Sequence, residues 1–537
     1  MTHPWTRPAA RFASSCALGA LLMASAHATL FTPAPPRVQT SQGEISGKLV
    51  DGVRAYLGIP YAAPPVGELR WQPPQPPAGW SGTRDARAFS DRCAQPASFL
   101  SPKSANEDCL YLNVHVPDDI GNGKLPVMVW IHGGAFLSGS AADYDMTKLA
   151  NKAHVVVVSI NYRLGAFGFF RAPELAAQHQ SSNLGLQDQQ AALRWVQSQI
   201  GRFGGDASRV TLFGQSAGGA SVCLHTVSPG SKGLFHRAIM QSGTCSLLTT
   251  TPPEVMEAQS ANLGIQLGCP SGPGQLACMR DKPAADVVTA SVPNGNEVRD
   301  VTLRWTPVRD GVTLTGDPGQ QVQQGQFQRV PMMIGTTHDE GDLFVGLEYH
   351  MALFRTVRQS DVEFYIGQMA GSDPNRAAQL RGTYTKQAYG SLDRAFSALL
   401  TDYFFSCDAM RETEAFARQT PTYSYEFSET GLPFLFPDPL MRLGSVHGAE
   451  LIFLFQGSQQ TWPMLFWNKA QKQLSEQLIG QWGRFAATGN PNGPLLPQWP
   501  AFNAQRASSL NINSGGTTVF GSAAYRQDHQ CVLFDPS

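Results

Sequence analysis

Five apolar runs, at 126–131, 155–160, 210–213, 238–241 and 330–334, constrain the folding of this chain most. None shows the alternation of a strand with one wet face, so each fits a strand buried on both sides. Stretches of helix-forming composition, such as 187–200, separate them. Strands alternating with helices predict an α/β fold, a large and mostly parallel central sheet flanked by helices. Upstream, 38–47 and 49–58 read as short strands paired with each other. The prolines of 59–80 cannot continue a ladder, which predicts an extended surface wrap. Segments 252–328 and 347–419 are less strand-like and suit helical insertions over one end of the sheet. No internal repeat or long linker divides the chain, so 29–537 reads as one domain.

Residues 1–28 read as a removable leader. Arg7 and Arg11 precede an apolar run, 17–23, that closes with Ala26-His27-Ala28, the small-residue pattern of a signal-peptidase site. That run is well below the roughly 20 residues of a membrane-spanning helix. The expectation is export, with cleavage after Ala28, to a periplasm or the exterior, and no membrane span. With 42% hydrophobic and 15% charged residues the chain can bury a sizeable core, and a formal net charge of -1 provides no basic footprint for nucleic acid. Export permits disulfides. Removing Cys16 leaves Cys93, Cys109, Cys223, Cys245, Cys269, Cys278, Cys407 and Cys531, whose pairing counting alone does not give. C-x-x-C and H-E-x-x-H spacings are absent, and neither a metal nor another cofactor is expected.

The run at 210–213 leads straight into Gly214-Gln215-Ser216-Ala217-Gly218-Gly219. G-x-S-x-G is a weak pattern alone. After a strand and before small residues it predicts a sharp bend into a helix, with the Ser216 hydroxyl held exposed. A serine hydroxyl is a poor nucleophile at neutral pH and needs a neighbouring base, together with donors aimed at the oxyanion that forms on attack. His132-Gly133-Gly134-Ala135-Phe136 follows another strand and supplies candidate backbone donors at Gly133, Gly134 and Ala135, which the N–H of Ala217 would complete. Read plainly, the same glycines make an ordinary turn.

Several further segments occur in order: Glu107-Asp-Cys109-Leu-Tyr-Leu-Asn-Val114, Asn161-Tyr-Arg163-Leu-Gly165, Asn183-Leu-Gly-Leu-Gln-Asp188-Gln189 and Phe203-Gly-Gly-Asp206. With the serine motif this set resembles the type B carboxylesterase family, which includes cholinesterases and bacterial para-nitrobenzyl esterases. The resemblance implies the α/β-hydrolase fold and hydrolysis of small-molecule esters, of short to medium chain or aryl type, through an acyl-serine. It implies a triad of Ser216, an acid at Glu340 in Thr337-His338-Asp339-Glu340-Gly341 and a base at His447. By residue type Asp339 and Asp342 remain alternatives for the acid, while His338 lies too near the acid to be the base. The resemblance also implies disulfides Cys93–Cys109, Cys269–Cys278 and Cys407–Cys531, leaving Cys223 and Cys245 open, and ion pairs Arg70–Glu107 and Arg163–Asp188. Gln215 stands where many relatives have glutamate, Ala135 replaces a third glycine, and Leu343 occupies a position aromatic in cholinesterases, which argues against choline esters. Phe136, Leu137, Trp305 and Phe344 are candidates for an apolar pocket or for ordinary core. Two readings compete: an inactive binding protein on this scaffold, and an interfacial lipase, which would need a large apolar lid.

Overall fold

The strands are β1 (Arg37–Gln39), β2 (Glu44–Ser46), β3 (Lys48–Val50), β4 (Val53–Pro60), β5 (Thr83–Asp85), β6 (Tyr111–Pro117), β7 (Leu125–Ile131), β8 (Val156–Ile160), β9 (Gly205–Gln215), β10 (Arg237–Gln241), β11 (Met332–Thr337), β12 (Thr422–Phe427), β13 (Ser508–Ile512) and β14 (Thr518–Gly521). They belong to a computed structural model that describes residues 34–535 apart from 99–100, 122, 247–249, 293–304, 431, 433–437, 439, 456–466 and 504. The leader and its cleavage position lie outside the described residues. Residues 1–35 and 36–537 form separate units, and every element named belongs to the second.

Eleven strands make one sheet in the order β14-β13-β12-β11-β10-β9-β7-β8-β6-β4-β3. From β13 to β8 every neighbouring pair is parallel, and the strands beyond them on both edges are antiparallel. Every residue of β7 and β8 is buried. Val127, Val129 and Ile131 enter one hydrophobic cluster, while Met128 and Trp130 enter the cluster on the opposite face. Side chains that alternate between two covered faces account for the mostly apolar runs. Segment 187–200 lies within helix Leu184–Gln199 and the following turn. Among the described residues, 252–328 contributes helices and turns, and a third cluster of buried side chains gathers residues 345–407 with Met441, Cys531 and Phe534.

The N-terminal strands pair differently from the sequence expectation. Each segment is itself a hairpin: β1 pairs with β2 in a small sheet completed by β5, and β3 pairs with β4 at the edge of the main sheet. The reason for the second turn is local. Asp51 and Gly52 both take positive φ, 46 and 74, the conformation that closes a two-residue hairpin with the right twist. At the other expected strand, 330–334, the ladder starts at Met332, because Pro331 has no N–H to donate, and it runs on to Thr337. This extension carries the chain to Glu340.

Four disulfides are formed: Cys93–Cys109, Cys223–Cys245, Cys269–Cys278 and Cys407–Cys531. The last spans 124 residues, and a loop that long is worth about 4–5 kcal/mol in the chain-entropy account. Arg70 binds Glu107 through two nitrogens at 2.8 and 2.5 Å and donates to the carbonyls of Met279, Arg280 and Lys282. Arg163 holds Asp188 in the same bidentate way, at 2.8 and 2.7 Å. No helix among the described residues is long and apolar enough to cross a membrane.

Beside Cys223–Cys245 lies the buried Glu412, whose Oε1 accepts the Cys245 N–H at 2.8 Å. Its Oε2 is 3.5 Å from Cys223 Sγ, a bridged sulfur with no proton, to which a neutral carboxyl donates and a carboxylate does not. Burial pushes its pKa up to about 8 against the lowering effect of the backbone donors. The folded protein thus keeps a proton that the unfolded chain loses near its ordinary 4.5. Stability therefore falls as pH rises from about 4.5 to about 8. Glu412→Gln keeps the acceptor and removes the titration, so its Tm should exceed that of the parent at pH 8.5 and the gain should shrink at pH 5. Equal differences at both pH values would contradict this account.

Candidate active site

β9 ends at Gln215 and helix Ala217–Val227 begins at once, leaving Ser216 between them at φ 59, ψ -127. A non-glycine residue pays of order 1–3 kcal/mol for such a conformation unless its neighbours impose it. They do: Ser216 N–H donates to Gln241 O at 2.9 Å, and Ala220 N–H donates to Ser216 O at 2.8 Å. The following glycine is required by space, since a Cβ at Gly218 would lie 2.1 Å from Ile131 O. Ala217 opens the helix, so its N–H has no intrahelical acceptor.

His132, at the end of β7, is buried and stacks on Tyr162 with ring centroids 4.5 Å apart. Burial lowers its pKa to about 4, so the ring is neutral, and its Nδ1–H donates to Gly133 O at 2.8 Å. Ala135 and Phe136 then take positive φ, 56 and 61, while Leu137 and Ser138 donate back to Gly134 O. A Cβ on Gly133 would sit 3.0 Å from Ser216 Cβ, which sets this loop directly against the serine. Gly134 has φ 110, and a Cβ there would fall 2.0 Å from Ser138 O. The loop cannot accept Gly134→Ala without moving its N–H groups. We expect kcat to fall at least 100-fold, the scale of losing one oxyanion donor, together with a lower Tm from the strained loop; wild-type kcat would show that these donors are not used.

Glu340 follows β11 and is fully buried. Its Oε1 accepts the Thr337 N–H at 2.8 Å, and its Oε2 is 2.5 Å from His447 Nδ1. The neighbouring acids have other partners. Asp339 accepts the Ser445 N–H and Asp342 the Gly444 N–H, each at 2.8 Å, so the two carboxylates grip the backbone just ahead of His447. His338 pairs with Asp339 at 3.0 Å and Asp528 at 3.3 Å, and the hydrogen bonds it donates to these carboxylates raise its pKa to about 11. It does not meet Ser216.

The other ring nitrogen of His447, Nε2, lies 3.0 Å from Gln215 Nε2. Among the described residues the Ser216 hydroxyl makes no hydrogen bond. Phe344 and Phe405 place their rings 5.2 and 4.9 Å from the imidazole. Phe344 immediately precedes a π-helical stretch, Val345–Ala352, and Phe405 lies within another, Asp402–Ser406, irregularities that recur near functional sites. Phe405 carries no sequence signal, because it comes from an insertion. Glu450, three residues after His447, accepts from Gln241 Nε2 at 3.0 Å, and burial pushes its carboxyl up to about 7. Its spacing from His447 was the signal available.

The expected pocket residues separate into two groups. Phe136 is fully buried and packs edge-on against Phe169, and Trp305 is buried with its indole N–H given to Ser291 O. Both pack within the same hydrophobic core cluster. Leu137 borders a small cavity of about 20 Å³ with Leu164, Phe167 and Val288, and Phe344 faces His447 as described.

With this geometry in view, the Carboxylesterase family matches residues 34–531. The chain belongs to the carboxylesterase family. It is 35% identical over 492 residues to the para-nitrobenzyl esterase of Bacillus subtilis (strain 168), covering 89% of this chain and 94% of that one. It is 36% identical over 516 residues to the cocaine esterase of Homo sapiens, covering 89% and 88%. A solved PNB esterase superposes with a TM-score of 0.77 at 33% identity, covering 92% of this chain and all of the other. The carboxylesterase fold is thus the α/β-hydrolase architecture expected from the resemblance.

Proposed function

We propose that this carboxylic-ester hydrolase works through an acyl-serine formed at Ser216. His447 Nε2 takes the hydroxyl proton as Ser216 Oγ attacks the ester carbonyl carbon, and Glu340 holds the Nδ1 proton and stabilises the imidazolium. The loop Gly133-Gly134-Ala135 and the N–H of Ala217 receive the developing oxyanion. The alcohol leaves with the proton from His447, and water then cleaves the acyl-enzyme by the same steps in reverse order. The observation that carries this reading is the 2.5 Å contact between Glu340 and His447, whose other ring nitrogen meets Gln215, the residue before a serine held at a strand-to-helix bend.

Substrates are small esters of short to medium acyl chain, or aryl esters. The apolar rings of Phe344 and Phe405 beside the imidazole support this, as do relatives named for para-nitrobenzyl and cocaine esters. Four disulfides support export to an oxidising compartment, with a leader removed after Ala28 and one domain from residue 29 onward. The inactive-scaffold reading is disfavoured because all three triad positions hold competent residue types. A p-nitrophenyl ester series from acetate to palmitate, tested on the mature chain, should give saturable turnover that peaks at short acyl chains. Preference for emulsified long-chain triglyceride would replace this reading with the lipase.

A further inference from the structure

Gln215 is buried beside the nucleophile position, with its side chain between the oxyanion loop and His447. A Cβ on Gly133 would lie 3.2 Å from Gln215 Oε1, and one on Gly448 would lie 3.5 Å from its Nε2. An amide nitrogen donates and has no lone pair to accept. The 3.0 Å contact with His447 therefore requires that His447 Nε2 be the acceptor. The ring proton then lies on Nδ1, where Glu340 receives it.

The backbone fixes this placement. Gln215 stands in register with Gln241 on the parallel strand β10. Gln241 is buried, takes the Trp482 indole N–H on Oε1 and gives its Nε2–H to Glu450. Two paired glutamines thus hold the turn 447–450 from below, one at the histidine and one at the glutamate.

We propose that Gln215 is a positioning residue that sets the tautomer of His447 and caps Nε2 in the free enzyme, yielding that nitrogen to the Ser216 hydroxyl when ester binds. This rests on the acyl-serine reading above. It assigns a chemical consequence to the glutamine that this chain has in place of glutamate. A carboxylate at 215 would accept from Nε2–H and add a negative charge beside the ring, whereas the amide donates to the bare Nε2. The charged groups around His447 are Glu340 at Nδ1, Glu450 on its own turn, and Asp339 and Asp342 beneath it, with Arg394 and His338 next to those acids. All are unchanged by substitution at 215.

The test is the pH profile of kcat/KM for p-nitrophenyl butyrate from pH 5 to 9 in the wild type, Gln215→Glu and Gln215→Leu. Glu450 titrates in the same range but is common to all three, so differences report on position 215. The acidic limb should move to higher pH by about one unit in Gln215→Glu, as an opposite charge near the ring requires. Gln215→Leu removes the donor to Nε2 and adds no charge, so its limb should move by well under half as much while kcat falls several-fold. Superimposable wild-type and Gln215→Glu profiles would overturn the proposal. So would wild-type kcat in Gln215→Leu, and so would an equal shift in that variant, which would trace the effect to packing. Labelling of the wild type by a fluorophosphonate separates the two ideas: a labelled Ser216 with no shift removes only the role of Gln215, while an unlabelled, inactive wild type removes both.

Discussion

Ser216→Ala is expected to lower kcat/KM on p-nitrophenyl butyrate by about 10^5-fold or more, with the Tm unchanged. The backbone argument makes this a clean test. Both hydrogen bonds that impose the bend use the peptide N–H and C=O of residue 216, and among the described residues the Oγ has no hydrogen-bond partner to lose. Alanine removes the attacking atom and little else. The residual rate, roughly 10^3-fold over water, would come from the loop donors and substrate binding alone. A variant that keeps a hundredth of the wild-type rate would place the nucleophile elsewhere.

Glu340→Gln should cost about 10^3 to 10^4-fold in kcat, close to the effect of replacing the acid of a serine triad by its amide. Glu340 accepts at both oxygens, from Thr337 N–H and from the His447 Nδ1 side. A glutamine can satisfy only one of these. If its oxygen stays on Thr337, the NH2 faces His447 and drives the ring proton onto Nε2, where it can no longer accept from serine. If the amide turns over, the NH2 meets the Thr337 N–H in a buried site, a loss of about 1–3 kcal/mol for the unsatisfied groups. The first outcome preserves the fold and removes the base. Single-turnover kinetics should therefore show a slow acylation step with KM little changed, and wild-type acylation would exclude Glu340 as the orienting acid.

The fold was most legible where local pattern and environment coincide. β7 is apolar throughout, and β8 apart from Ser159, because both their faces are covered, and Asp51-Gly52 is a turn signal inside a segment that otherwise looks like one strand. β12 was not legible. Its sequence, Thr-Tyr-Ser-Tyr-Glu-Phe, alternates as if one face were wet, yet every residue is buried. Ser424 meets Ser509, 85 residues away, and Glu426 meets His529, 103 residues away. Partners that distant leave no mark in a local window. The candidate site divides similarly. Ser216 and the Gly133-Gly134-Ala135 loop could be read from motifs, because the tight approaches demand glycine and small residues at fixed spacing. Glu340 came only from the family resemblance: by residue type Asp339 and Asp342 stay open, since three acids share one loop, and the contact with His447, 107 residues on, distinguishes them. Cys223 and Cys245, left open by the resemblance, pair because helix Ala217–Val227 and the segment after β10 pack side by side.

The most direct test of the central claim is stoichiometric labelling of the mature chain with a fluorophosphonate, followed by mass mapping of the modified peptide and titration of residual esterase activity. The account predicts one label per chain, on Ser216, with activity lost in proportion and no label in Ser216→Ala. Complete inactivation with the label on another residue, or ester hydrolysis that survives full labelling of Ser216, would contradict it.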